Sequence, residues 1–343
     1  MDYSTILSED IASVINDNSI TWKNLKDRCV LITGATGMIG RACVRILGEL
    51  NKQKHYNIKI YALGRNTEKG KTLEQIQGVT FVAQNIKDDF NILEKVDYII
   101  HCAAVTQSSE MLSNPVGLIE TEIFGSKNVL DFAHSNNVKG FVYTSSMESY
   151  GILDSIDVKE TDQGYIDLSN PRNSYPMCKR MIETLCNCYW SQYQLPTKIV
   201  RLGMVFGAGE DFQKDNRVWA QFTKCACEKK SILLHTTGES LRSFVYLSDA
   251  IRGIFLILLS ATAGETYNIA TCSYKINEFA QNIANKFNLE VYINPPANLE
   301  KLGYVSEFKL PLNAEKLLHL GWKPQITQIE NMVERVVNEY KQV

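Results

Sequence analysis

The chain has almost no excess charge of either sign: 36 Lys and Arg against 38 Asp and Glu leave a net charge of -2 over 343 residues. Without a basic field, nucleic acid and acidic membrane surfaces are not expected partners. No apolar run approaches the length of a membrane span, no internal repeat is visible, and no signal-peptide pattern stands at the start. The five histidines are scattered away from metal-like Cys/His spacing, so no metal is expected, and His101 is read as packing near a cofactor. Nine cysteines are not few, yet Cys29, Cys43, Cys102, Cys186 and Cys188 stand inside apolar periodic segments. Cys186-x-Cys188 and Cys225-x-Cys227 lie in helical patterns, where that spacing turns the two thiols apart. Reduced core cysteines in a cytoplasmic protein are the expectation.

What is present is a regular alternation. Short apolar runs at Cys29-Thr33, Ile58-Leu63, Val79-Ala83, Tyr98-Cys102, Phe141-Ser145 and Lys198-Leu202 have the character of buried strands. Helical patterns such as Ile39-Leu50, Leu118-Ser135 and Tyr175-Tyr193 separate them. This predicts an α/β fold, a Rossmann-type doubly wound parallel sheet. After about Gly207 the segments shorten to Asp211-Asn216, a helix from Arg217, Ile232-His235 and Glu290-Asn294, with Ser243-Leu247 expected to return to the main sheet. The expected division is a helical lead-in over 1–26 with Ser8 as N-cap, a dinucleotide-binding domain over 27–206, and a smaller C-terminal substrate lobe over 207–343 interleaved with late sheet elements.

Gly34-Ala-Thr-Gly37-Met-Ile-Gly40 follows the first strand and opens the first long helix, the context a dinucleotide fingerprint requires. Gly34 allows the tight turn, Gly37 lets the backbone approach a pyrophosphate, and Gly40 lets helix and strand pack closely, with the helix N-terminus facing the anion. Downstream stand Thr144-Ser-Ser146 and Tyr175-Pro-Met-Cys-Lys179. A free phenol ionises near pH ~10, and a lysine one helical turn away favours the phenolate, so Tyr175 is expected to act as a base near neutral pH. The Ser146 hydroxyl would hold the substrate oxygen while a carbinol passes its hydride to a nicotinamide. A lone Tyr-x-x-x-Lys is common on helices; the order of the three elements gives it weight.

Together with His101-Cys-Ala-Ala104, Tyr267-Asn-Ile-Ala270 and Gly321-Trp-Lys-Pro324, these motifs resemble the extended short-chain dehydrogenase/reductases that act on nucleotide-diphosphate sugars, over about residues 27 to 340. The resemblance implies a catalytic set of Ser146, Glu148, Tyr175 and Lys179. It implies cofactor contacts at Gly34, Thr36, Gly37, Met38, Ile39, Gly40, Arg65, Asn85, Ile86, Ala103, Ala104, Tyr175 and Lys179. It also implies a nucleotide-diphosphate-sugar substrate and a homodimer paired through Leu118-Ser135 and Tyr175-Tyr193.

Cofactor choice is written after the second strand. Leu63-Gly64-Arg65-Asn66 lacks the carboxylate that binds ribose hydroxyls in NAD enzymes and offers an arginine, which favours NADP; the alternative is NAD with Arg65 over the adenine. Asn85 and Ile86 stand where relatives often have an aspartate.

The reaction is less narrowly marked. Ser146-Met147-Glu148 is similar to the acid/base stretch of sugar 4,6-dehydratases and UDP-glucuronate decarboxylases, with Met147 in place of a dehydratase aspartate. Pro171-Arg-Asn-Ser-Tyr175 to Arg180, Asp215-Asn-Arg217-Val218 and Arg242 to Asp249 look like the decarboxylases, which would put Arg217 and Arg242 on the diphosphate or a sugar carboxylate. Met204 and Glu122 each replace a common asparagine. Decarboxylation or 4,6-dehydration is the leading expectation; 4-epimerisation, NADPH-dependent 4-keto reduction, and a cofactor-sensing binding protein remain as alternatives.

Overall fold

The computed structural model describes residues 3–90, 92, 94–294 and 308–342. Seven parallel strands form the central sheet: β1 (Cys29–Thr33), β2 (Lys59–Gly64), β3 (Val79–Ala83), β4 (Tyr98–His101), β5 (Gly140–Ser146), β6 (Thr197–Leu202) and β10 (Thr266–Ile269). Their spatial order is β10-β6-β5-β4-β1-β2-β3, so the direction of winding reverses between β1 and β4. Ligands in such sheets bind beyond the carboxyl ends of the strands at that switch point.

Alternation along each strand builds two cores. Val30, Ile32, Ile100, Val142 and Val200 face one helical layer, while Leu31, Ile99, Phe141, Tyr143 and Ile199 face the other. This is why the strands are apolar throughout rather than at every second residue. The helix Met38–Lys54 and the helix Leu247–Ser260 cover the first face; Gly125–Ser135 and Ser174–Tyr193 cover the second.

The later chain forms a third, aromatic core around Phe206, Trp219, Phe222, Phe244 and Phe279. Its four-stranded sheet joins β7 (Met204–Phe206), β9 (Leu241–Tyr246), β11 (Cys272–Lys275) and β13 (Lys309–Leu310); β8 (Ile232–Leu234) pairs with β12 (Val291–Ile293). Here one sequence-based expectation fails. Ser243-Leu247 does not return to the main sheet: its strand, β9, is the centre of the smaller sheet, and Leu247 starts a helix. The returning strand is β10, carried by the Tyr267-Asn-Ile-Ala270 motif. An apolar run of strand length does not say which sheet receives it, because that depends on the path of the connections.

Three smaller expectations change as well. The N-terminal helix runs Thr5–Ile15 and is capped by Ser4, whose Oγ accepts from the Leu7 N–H at 3.2 Å, rather than by Ser8. Leu118-Ser135 is not one helix: a π turn, Glu120–Phe124, interrupts it between Pro115–Ile119 and Gly125–Ser135. Cys188 is exposed on its helix while Cys186 is buried, so the two thiols do point apart, but only one is a core residue.

The N-terminal helix is built into the first core through Leu7, Ile11, Val14 and Ile15. It also buries Asp10, which accepts from the Tyr246 hydroxyl and from Arg335, both at 2.7 Å. Burial outweighs those partners and holds the carboxyl at about 6 instead of 3.8. A carboxyl raised in the fold stabilises most below its unfolded value, and that contribution is lost as pH rises through about 6. About two pH units correspond to about 3 kcal/mol. Asp10→Asn should therefore gain on wild type by up to about 3 kcal/mol in urea unfolding between about pH 4 and pH 7. A difference that does not change with pH would exclude the buried titration.

Candidate active site

The glycine turn after β1 is closed by contact, not by composition alone. Gly34 has φ +67, and a Cβ on it would lie 2.6 Å from the Ala103 N; one on Gly40 would lie 2.4 Å from the Gly34 O. Neither position has room for a side chain. Gly37 caps the 17-residue helix Met38–Lys54 without any side-chain bond, so the N–H groups of Met38, Ile39 and Gly40 in its first turn remain available to an anion. The residues present therefore fit a dinucleotide pyrophosphate.

Other expected cofactor residues surround this turn. Thr36 lies beside Gly64, where an added Cβ would be 3.1 Å from its side chain. Arg65 is exposed at the end of β2, and Asn66 caps the following helix by accepting from the Lys69 N–H at 2.9 Å. Beyond β3, Asn85 bonds the Lys87 N–H, and Ile86 is buried with its carbonyl accepting from Asn128 at 2.9 Å. Ala103 and Ala104 follow β4 directly across from Gly34. His101 is buried between Thr33 (2.6 Å) and Ser126 (2.9 Å), and burial pushes its imidazole down to about 3. It is a neutral core histidine beside the cofactor turn.

The residues expected to handle protons come from three elements. Ser146 ends β5, Glu148 rides on the 3₁₀ turn Met147–Tyr150, and Tyr175 and Lys179 occupy successive turns of Ser174–Tyr193. Ser146 interacts with the Tyr175 hydroxyl and accepts from the Glu148 N–H at 3.2 Å. Lys179 Nζ lies 5.4 Å from the Tyr175 ring centre and 5.0 Å from that of Tyr143.

Electrostatics here differ from the sequence-based expectation. Lys179 does favour the phenolate, but burial of Tyr175 is the larger effect, with Glu148 and Glu122 adding to it, and the hydroxyl is held above its ordinary value of 10. Spacing along a helix reports the cation; it cannot report how much water the fold removes.

Three residues without an assigned role prove central. Arg172 donates to Glu148 Oε2 at 3.1 Å, so the carboxylate has its own counter-ion. Glu122, with a side chain fully shielded from solvent, lies 3.4 Å from Lys179 Nζ. Arg180 donates to the carbonyls of Ser149 (2.5 Å), Tyr150 (2.7 Å) and Gly164 (2.7 Å), fixing the turn that carries Glu148. The Arg-x-x-Tyr and Lys-Arg spacings around Tyr175 were the available signals for Arg172 and Arg180. For Glu122 the signal was its departure from asparagine.

The two arginines expected to contact substrate differ in their surroundings. Arg242, on β9, forms no ion pair among the described residues; its guanidinium stacks 4.7 Å above the Phe308 ring, its Nε is buried without a partner, and Glu148 and Arg172 are its charged neighbours. Arg217 is already bonded to Asp215, at 2.8 Å through Nε and 2.5 Å through Nη2, and is not brought to the Glu148 group by any described contact. Met204 belongs to β7, beside β9.

A family model described as the NAD dependent epimerase/dehydratase family matches residues 30–270. The chain is 31% identical over 266 residues to the UDP-N-acetyl-alpha-D-glucosaminuronate decarboxylase of Bacillus cytotoxicus, covering 76% of this chain and 80% of that protein. It is 25% identical over 326 residues to the dTDP-D-glucose 4,6-dehydratase of Bos taurus, covering 91% and 88%. In fold it is similar to DesIV, a dTDP-glucose 4,6-dehydratase of Streptomyces venezuelae solved with NAD and TYD bound (TM-score 0.76, 22% identity, 92% of this chain and 97% of that one). It is equally similar to a UDP-glucose 4-epimerase of Thermotoga maritima solved with UDP-glucose (TM-score 0.76, 22% identity, 92% and 99%).

Proposed function

Because the chain belongs to the NAD-dependent epimerase/dehydratase family, we propose that it acts on a nucleotide-diphosphate sugar bearing a uronate, oxidising carbon 4 and then releasing carbon dioxide. The observation that carries this reading is the Glu148–Arg172 pair beside Arg242, which has no ion pair among the described residues. Protonating a departing hydroxyl calls for a carboxyl aimed at it, whereas Glu148 is engaged by Arg172 and Met147 offers no second carboxyl on this turn. Decarboxylation has no such need: the carbon–carbon bond breaks and its electrons enter the carbon 4 carbonyl. Tyr175 takes the proton from the carbon 4 hydroxyl, Ser146 holds that oxygen, both stabilise the enolate that follows, and the carbon that lost the carboxylate takes a proton from solvent before the hydride returns. Arg242 supplies the free planar donors for a sugar carboxylate or diphosphate. A bound nicotinamide would store the carbon 4 hydride and return it, without net redox change.

The test is incubation with UDP-, GDP-, dTDP- and CDP-linked uronates and hexoses, followed by weighing the products. Loss of carbon dioxide is expected. Loss of water only, an unchanged mass with inverted carbon 4, or gain of two hydrogens would replace the reading with dehydration, epimerisation or reduction. No product from any donor, with cofactor still bound, would favour a sensor.

The exposed arginine after β2, with no carboxylate beside it, supports NADP over NAD. A charge-assisted contact to a ribose phosphate contributes about 1.5 to 3 kcal/mol, or roughly ten- to more than a hundredfold in affinity. Arg65→Ala should erase most of that preference in equilibrium binding and leave NAD binding little changed. Equal wild-type affinity for the two cofactors would assign Arg65 to the adenine instead.

The same reading takes the protein to be a cytoplasmic homodimer, with the dinucleotide-binding and substrate parts meeting near residue 206. Val116, Phe124 and Met181 leave apolar surface exposed on the helices expected to pair. Sedimentation at micromolar concentration should find the dimer, and a monomer there would count against it.

A further inference from the structure

Glu122 is a costly residue where it stands. Its side chain is wholly buried, and it reaches the site only because the π turn Glu120–Phe124 interrupts the helix that carries it. A π turn accommodates an extra residue, re-aims the side chains around it, and recurs at functional sites. Glu122 Oε1 accepts from the Val105 N–H at 2.6 Å, which anchors it to the segment after Ala103-Ala104. Among the described residues Oε2 has no hydrogen-bond partner, and it lies 3.4 Å from Lys179 Nζ. The ammonium, only 2% exposed, also contacts the Thr144 carbonyl at 3.4 Å and interacts with the Tyr143 hydroxyl.

We infer that Glu122 is the fixed counter-ion of Lys179 and that, by neutralising the ammonium, it keeps Tyr175 a phenol in the free protein and so sets the pH at which the base forms. The inference rests on Tyr175 being the proton acceptor. A lysine facing only tyrosines would spend its whole field on the phenolate; one already facing a buried carboxylate cannot. The other groups around Tyr175 do not alter the sign. Ser146 donates, Glu148 opposes ionisation as Glu122 does but is paired with Arg172, Cys178 is a neutral thiol pushed up to about 12, and Tyr143 stays protonated by burial. Glu122 is a positioning residue, acting through Lys179.

Tyrosinate absorbance during an alkaline titration tests this without any substrate, so it remains decisive even if no nucleotide sugar is decarboxylated. The Tyr175 signal is the difference between each protein and its Tyr175→Phe counterpart. The wild-type midpoint should lie above ~10, the value of a free phenol. Glu122→Gln should lower it by about one pH unit or more, the effect of removing one nearby charge. Where a substrate has been found, the acid limb of kcat/KM should move down with it, whereas loss of a merely structural contact would reduce kcat and leave the limb in place. An unchanged midpoint in Glu122→Gln overturns the inference. If that variant does not fold, a wild-type midpoint below about 8 overturns it alone, since Lys179 would then be acting at full strength.

Discussion

Tyr175→Phe is expected to lower turnover by about two to four orders of magnitude, the usual size of a general acid/base contribution, while leaving stability and cofactor affinity close to wild type. The substitution removes one oxygen from a buried ring that packs with Val105, Met111 and Leu118, so the apolar contacts survive. Loss of the hydroxyl leaves Ser146 its bond to the Glu148 N–H, and the turn that carries the carboxylate stays anchored by Arg180. Steady-state rates on the identified substrate, with cofactor titration alongside, check both halves. Near-normal turnover in the phenylalanine variant would remove Tyr175 from the chemistry.

Lys179→Ala should be different in kind, because it damages the fold as well as the site. Removing the ammonium leaves the Glu122 carboxylate buried without a counter-ion, which typically costs about 3 to 5 kcal/mol. Cofactor binding and turnover should fall together with stability in urea unfolding. The double variant Lys179→Ala/Glu122→Gln should recover most of the stability but not the activity, because the unpaired charge is gone and the base still lacks its cation. If the double variant is no more stable than the single one, the cost lies elsewhere than in this pair. The comparison is a double-mutant cycle on residues in contact, where additivity is not expected.

Much of the site was legible because its residues are tied to backbone geometry. A glycine fingerprint after a strand announces a turn with no room for Cβ atoms, and the contacts at Gly34 and Gly40 are of that kind. Ser146 at the end of β5 follows from counting to the edge of an apolar run, and Tyr175 to Lys179 from one turn of helix. The exposed place of Arg65 after β2 was equally readable, since it follows directly on the end of an apolar run. The partners of these residues were not readable. Arg172 and Glu148 are 24 positions apart, and their meeting depends on how the 3₁₀ turn after β5 sits against the start of the following long helix. Glu122 and Lys179 come from two helices whose mutual rotation depends on a π turn that periodicity cannot announce.

By itself, then, the sequence determined the doubly wound sheet, the glycine turn and the positions of Ser146, Tyr175 and Lys179 on their elements, because each depends on local periodicity, on strand edges or on the absence of a Cβ. Tertiary structure alone decided that Ser243-Leu247 joins the smaller sheet, that Arg242 stacks on Phe308 with no ion pair among the described residues, and that Tyr175 is held above rather than below its ordinary ionisation. The physical reason is common to the last two. The state of an ionisable group depends on how much water is removed around it and on which charges the fold brings within a few ångströms, and neither quantity is local in the chain.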